Sequence, residues 1–462
     1  MRVKAPGRFI PLSLSLSLSR FLRKFEHLCF YSLVSMAILP YLRILAQVKN
    51  KQLESMILYC YYANMKINTL FTILLISIAT AANAAKPADS EFTTKAKSAL
   101  LIDYDSGAEI VAKNADVLMP PSSMIKLMTL VVLFDEIKNG NLTMDSKLPV
   151  SENADYKNPL WYPASKICLV AGQEITVRDA ILGLIVLSGG DASVVVAEKL
   201  AGSENAFTAK MTAKARSIGM EQSTFGNASG LPNQNNLMTS RELATLATHI
   251  IADYPDIYPL FATKRFEFGD YKSEWCRDWG RTHTVNYNKL LFTMPGADGL
   301  KTGHTDDGGY GMVASSVVGG RRLIGVINGF NGRGHDALAA EMKKLLNYGY
   351  TTTLHKVFYR PGDTVVAIPV WYGRNDTVNA TVEKPFAVTL PKPVPVSSIR
   401  VLARFNDPAT APIIAGDTLG EIIAEHNGRV IAHAPLVAAE NVKKVRFFKR
   451  LIRNISVMVG GK

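Results

Sequence analysis

The sequence predicts an α+β domain whose antiparallel sheet is built from the two ends of the segment. A small all-β domain and a C-terminal amphipathic helix follow it. Three observations carry this expectation. Apolar, strand-like runs stand at 98–112 and again from Gly299 to Asn328, with helix-length amphipathic runs between them. From Tyr359 the runs shorten and are broken by turn residues, with no long helical pattern. At 440–462 apolar residues return at three- and four-residue intervals among Lys and Arg.

Length and composition set the bounds. The chain has 462 residues, 48% hydrophobic and 20% charged, which is enough for two ordinary domains with a large core. The formal charge is +13, but residues 1–84 hold 10 Lys/Arg against 2 Asp/Glu and the extreme C-terminus is basic. The middle is close to neutral, so the charge is read as targeting and membrane-surface charge and no nucleic acid is expected as a partner. From Met65, Lys66, the apolar run Leu70–Ala79 and Ala82-Asn83-Ala84 form a secretory signal, giving a signal peptide at 65–84 and a mature chain from Ala85. The run is too short for a span. Residues 1–64, with their Leu-Ser repeat, are read as an extension ahead of a true start at Met65. Cys168 and Cys276 are the mature chain's cysteines, and an exported protein can pair them. No Cys/His spacing resembles a metal site, so neither metal nor cofactor is expected.

Within the first domain, 85–355, Ser98–Ala112 reads as two strands around Asp105-Ser106-Gly107. Ser123 to about Lys138 reads as a helix stopped by Asn139-Gly140. Val177–Leu187, ending at Gly189-Gly190, Ser203–Ile218 and Ser240–Ala252 are further helices. Tyr310–Val318 and Arg322–Asn328 are strands joined by Gly319-Gly320, and His335–Gly349 is the last helix. The second domain, 356–438, takes short strands such as Val365–Trp371, Phe386–Leu390 and Arg400–Arg404. In 439–462, Val442, Val445, Phe448, Ile452, Ile455 and Val459 form one face opposite most of the basic residues, which suits an anionic membrane surface.

Three short elements carry chemistry: Ser123-Met124-Ile125-Lys126, Ser188-Gly189-Gly190 and Lys301-Thr302-Gly303. S-x-x-K and K-T-G each occur once. A serine hydroxyl needs a neighbouring base to act as nucleophile. On a helix, i and i+3 share a face, so Lys126 stands one turn from Ser123. Desolvation or a nearby cation lowers an amine's pKa, and Lys301 is expected to supply that cation. Ser188 sits between the two lysines as a proton relay. Thr302 can bond a substrate carboxylate, Gly303 allows close approach of the substrate backbone, and the N–H groups of Ser123 and His304 can form an oxyanion hole.

In these elements the chain resembles the low-molecular-weight penicillin-binding proteins of the D-alanyl-D-alanine carboxypeptidase type. The resemblance runs through Pro121–Lys126, Leu187–Ala192, Gly226–Pro232 and Asp298–Asp306, and on through the β domain and tail. It implies a β-lactamase/transpeptidase-like fold, with Ser123 acylated, Lys126 its base and Ser188 the relay. Lys301, Thr302, Gly303 and His304 would contact substrate, and Arg333 would bind the terminal carboxylate. The implied reaction removes the terminal D-alanine of peptidoglycan stem peptides, and β-lactams would acylate the same serine. The implied location is the periplasm, peripherally attached to the outer face of the cytoplasmic membrane. One position departs: Gly190 stands where the family has asparagine. Two other functions compete with this one. A class A β-lactamase is disfavoured because no Glu-x-x-x-Asn follows the second element and the β domain is surplus. A binding protein with catalysis impaired by Gly190 is the non-enzymatic alternative.

Overall fold

A computed structural model describes residues 92–161 and 164–445. The expected signal, the extension before it and most of the C-terminal helix lie outside these residues. Strands β1 (Ala96–Asp103) and β2 (Glu109–Lys113) form the expected hairpin, closed by Asp103 accepting from the N–H and hydroxyl of Ser106. The next helix does not start at Ser123. Ser122–Ile125 is a 3₁₀ turn, and α1 (Lys126–Lys138) begins behind it. A short pair, β3 (Lys147–Pro149) and β4 (Glu174–Thr176), leads to α2 (Val177–Val186). Then come α3 (Gly190–Ala201), α4 (Glu204–Ser217), α5 (Ser240–Asp253) and α6 (Glu274–Thr282). Side-chain caps fix four of these starts. Thr176, Ser203, Thr239 and Ser273 accept the N–H groups of Asp179, Ala206, Glu242 and Cys276.

Strands β5 (Ala297–Thr305), β6 (Gly309–Val318) and β7 (Arg321–Phe330) then meander back, followed by α7 (Gly334–Thr352). The sheet order is β2-β1-β7-β6-β5, so the first strand pairs with the last. The period-two alternation of strands gives each face its own core. Leu100, Val313, Ile324 and Val326 join the helical core around α1, whose side chains from Lys126 to Phe134 are all buried. Leu101, Met312, Leu323 and Ile327 face the other way, onto Leu338, Met342, Leu345 and Leu346 of α7. This arrangement holds β5 against the Ser122–Ile125 turn that precedes α1, which is what the site requires.

The C-terminal part is all β. It comprises β8 (Thr353–Tyr359), β9 (Val366–Trp371), β10 (Thr377–Thr381), β11 (Phe386–Pro391), β12 (Ile399–Phe405), β13 (Ala409–Thr410), β14 (Thr418–His426) and β15 (Arg429–Ala438). Six strands form one sheet in the order β12-β14-β15-β10-β9-β13, and β8 pairs with β11. Phe386 and Val388 of that pair share a core with Ile368, Val378, Ile422 and Leu436. The segment after β15 is tied to the sheet by mutual N–H to carbonyl bonds between Val442 and Ile413. Among the described residues, no helix is long and apolar enough to cross a membrane.

A charged cluster joins the two parts. Asp103, fully buried at the end of β1, accepts from Arg321 Nε at 2.7 Å and stands 3.0 Å from His355 Nδ1 on β8. Burial alone would raise the Asp103 carboxyl, but its hydrogen bonds to His355 and Arg321 prevail and hold it well below the usual range. Burial likewise opposes the His355 imidazolium. Hydrogen bonds to Asp103 and Asp105 outweigh it and push His355 up to about 9.

Candidate active site

The 3₁₀ turn is the first wall of the cleft. At three residues per turn, positions i and i+3 nearly eclipse, so Lys126 lies over Ser123 more directly than an α-helix would place it. Lys126 Nζ donates to Ser123 Oγ at 3.0 Å and also to the carbonyl of Ser229. Two glycines let backbone press on this turn. A Cβ on Gly303 would lie 2.8 Å from the Pro121 oxygen and 3.0 Å from the Ser123 nitrogen. One on Gly230, at φ +80°, would lie 2.1 Å from the Ser122 oxygen. The close approach at Gly303 is therefore to the serine turn, whereas the sequence suggested a substrate backbone there.

Lys301 comes from the middle of β5. It is buried, and its Nζ donates to Ser188 Oγ at 3.0 Å and to the Thr302 carbonyl at 2.8 Å. Ser188 sits between α2 and α3 at φ +57°. Ser123, Lys126, Ser188, Thr302, Gly303 and His304 line one cavity of about 490 Å³, and Lys301, itself buried, reaches that lining through its bond to Ser188. The exposed His304 stacks on Tyr310 with ring centroids 4.0 Å apart. Arg333 is exposed at the head of α7 and is not part of the lining; His335, two residues on, is. Sequence reasoning did not single out His335, Tyr287, Leu160, Ser165 or Ser229, which also line the cavity. Of these only Ser229 had a signal, inside Gly226–Pro232. A second cavity, about 440 Å³ among Asn406, Thr410 and Thr418, has Asp417 as its ionisable group and brings no base to a nucleophile.

Burial governs the electrostatics. Desolvation pulls Lys126 down to about 7, against the charges of Asp191 and Glu204 that favour its ammonium. Lys301 is also held well below the ordinary lysine range, first by burial and then by the charge of Lys126. The expected cation effect thus acts from Lys126 on Lys301, and the main cause at Lys126 is loss of water. Burial also pushes His335 down to about 4, helped by the nearby charges of Lys301, His304 and Lys289. A neutral amine in hydrogen-bond reach of a hydroxyl is a base set against a nucleophile, which is what acyl transfer needs.

Behind the middle element, the Asp191 carboxylate accepts the N–H groups of Ile167, Cys168 and Leu169 at 2.8–3.2 Å. Cys168 and Cys276 form a disulfide that ties this loop to α6. Asn227 Oδ1 accepts the Gly230 N–H at 2.7 Å and shapes the loop that carries Ser229, while Asn288 bonds the Gly299 carbonyl at 3.0 Å. Among the described residues, no group of three or more His, Cys, Asp or Glu could hold a metal.

Comparison with known proteins gives the same direction. The D-alanyl-D-alanine carboxypeptidase family matches residues 81–331, and the C-terminal domain of penicillin-binding protein 5 matches 355–444. D-alanyl-D-alanine carboxypeptidase DacF of Bacillus subtilis is 30% identical over 84% of this chain and 96% of its own length. DacA of Escherichia coli is 30% identical over 79% of this chain and 87% of its own. Penicillin binding protein 5 from Haemophilus influenzae superposes with a TM-score of 0.67 at 28% identity, covering 77% of this chain and all of that one. With a match over more than half its length and the serine–lysine cleft described above, the chain belongs to the D-alanyl-D-alanine carboxypeptidases, serine peptidases of the low-molecular-weight penicillin-binding class.

Proposed function

We propose that the cleft hydrolyses the terminal D-alanyl-D-alanine bond of peptidoglycan stem peptides through a Ser123 acyl-enzyme. Ser123 Oγ attacks the penultimate D-alanine carbonyl while its proton passes to the neutral Lys126 Nζ. The N–H groups of Ser123 and His304 receive the oxyanion. As the C–N bond breaks, the departing D-alanine amine takes a proton relayed from the lysines through Ser188. Water then attacks the ester and gives a proton to Lys126, which passes it to Ser123 Oγ as the ester C–O bond breaks; the acid product ionises to a carboxylate and Ser123 is free again. Lys301 and Thr302 bind the substrate's terminal carboxylate, and Gly303 holds β5 against the serine turn. Arg333 reaches the same carboxylate from the rim. A β-lactam enters the same way, except that its opened ring keeps the leaving amine attached to the acyl group.

The observation that carries this reading is the 3.0 Å bond between Lys126 Nζ and Ser123 Oγ at a site dry enough to bring the amine to about 7. Fluorescent penicillin should label the wild-type protein covalently and leave Ser123→Ala unlabelled. Equal labelling of the two would sink it. Release of D-alanine from diacetyl-Lys-D-Ala-D-Ala separates the peptidase from a protein that only binds.

Export from the signal at 65–84 and attachment to an anionic membrane face through 439–462 complete the reading. They are supported by the apolar run after Met65 and the basic apolar-faced tail. Co-sedimentation of the mature chain with phosphatidylglycerol vesicles, lost on removing 446–462, is the expected result. Binding that survives the deletion would contradict it.

A further inference from the structure

The middle element's glycine has a partner. A Cβ built on Gly190 would lie 2.6 Å from Cζ3 and 3.0 Å from Cε3 of Trp161. The indole is 1% exposed, and its Nε1–H is committed to the Asn153 carbonyl at 3.1 Å. The Trp161 carbonyl in turn accepts from Lys166 Nζ at 2.6 Å, so both ends of the residue are fixed. The next turns of the same loop repeat the pattern. The Gly190 N–H donates to the Ser165 carbonyl at 2.8 Å. A Cβ on Gly189 or on Gly183 would meet Ile167 Cγ2 at 2.9 or 2.8 Å. The loop therefore plugs into three glycines beside Ser188, and any side chain at 190 competes with a locked ring for the same volume.

We propose that Trp161 and Gly190 are a matched pair, with Trp161 the residue that positions the middle element and Ser229 supplying the fixed oxygen partner of Lys126. The indole's one polar hydrogen is bonded to Asn153, so it offers the cleft no donor in place of an asparagine amide. Lys126 instead donates to the Ser229 carbonyl, in a loop held by Asn227 on the Gly230 N–H and by Glu204 Oε1 on the Ala228 N–H at 2.9 Å. Gly190 is then an adaptation to Trp161 and leaves the cleft competent. Restoring a side chain at 190 harms the enzyme unless the ring is reduced as well.

This rests on the Ser123 acyl-enzyme reading, so Ser123-dependent labelling of the wild type is established first; its absence would remove that reading and leave the pairing unaddressed by kinetics but open to the melting comparison below. The test uses the mature chain with G190A, G190N and W161L, and the doubles W161L/G190A and W161L/G190N. Acylation rates by fluorescent penicillin are taken per labelled site, so unfolded protein does not count, and melting temperatures are recorded for all. The expected result is a loss of tenfold or more in acylation rate for G190A and G190N. Each double should recover at least fivefold over its glycine single, in rate and in melting order alike. If G190N does not fold, the one-methyl G190A pair decides. The proposal is overturned if either glycine variant acylates as fast as wild type with Trp161 in place. It is equally overturned if the doubles equal the product of their singles in relative rate, or the sum of their singles in melting shift.

Discussion

Between pH 5 and pH 9, acylation of Ser123 should switch on along a curve centred near 7. An ordinary lysine at 10.5 is neutral at pH 7 in only about 0.03% of molecules, whereas one at about 7 is neutral in about half. Burial of Lys126 therefore raises the base-competent fraction by about 10³-fold at neutral pH. Its sign is fixed: below the midpoint the ammonium has no lone pair, so the rate drops about tenfold per pH unit, and above it the rate levels off. Because Lys126 and Lys301 interact, the midpoint belongs to the pair. The assay is the second-order rate of fluorescent-penicillin labelling, with a melting curve at each pH to exclude unfolding. Glu204→Gln sharpens the test. The Glu204 charge favours the Lys126 ammonium, so its removal should move the midpoint to lower pH. The amide oxygen can still accept the Ala228 N–H that Glu204 holds at 2.9 Å. A flat profile, a midpoint above about 9, or a shift to higher pH in E204Q would refute the argument that desolvation makes Lys126 the base.

Three further outcomes concern stability. His355 is raised to about 9, so its contribution is full below about 6.5 and lost as pH climbs through about 9. Asp103 is depressed, so its contribution is present above about 3.8 and lost as pH falls toward its folded value. Melting temperature should therefore fall at both ends of that window, and the alkaline decline should be absent in His355→Gln; an unchanged alkaline decline would count against the cluster. Asp103→Ala, which leaves Arg321 and His355 facing each other in a buried site, should cost about 3–5 kcal/mol by denaturant titration. Cys276→Ser opens a crosslink spanning 108 residues and should cost about 2–5 kcal/mol, with a matching loss on reduction of the wild type. No difference between reduced and oxidised protein would show that the bridge adds nothing.

Much of the site was legible because its chemistry lies in consecutive residues. Ser123 with Lys126, and Lys301 with Thr302 and Gly303, are local patterns that any placement on a turn or strand keeps together. The hairpin at Gly319-Gly320 was legible for the same reason. What could not be read is what the chain brings from far away. Gly189-Gly190 looks like a helix stop, yet α3 starts at Gly190, because the glycines are there to admit Ile167 and Trp161. The short α6, whose charged sequence hides an anchoring cysteine, was not anticipated either. The depression of Lys126 was expected partly from a neighbouring cation, but depends on burial by residues spread over the whole domain. The 3₁₀ geometry at Ser123 depends on backbone pressing from Gly230 and Gly303, which local propensity cannot announce.

The pairing of β1 with β7 has a consequence for how the enzyme comes into being. Ala96 opposes Phe330, so β1 has only its hairpin partner β2 to pair with until more than two hundred later residues have been delivered. β5 packs on the serine turn and pairs with β6, which β7 joins to β1, so the cleft draws on both ends of the sheet. A chain that ended before Arg321 would lack β7, the strand that joins β1 to β6, and with it the sheet that sets the lysine strand against the serine turn.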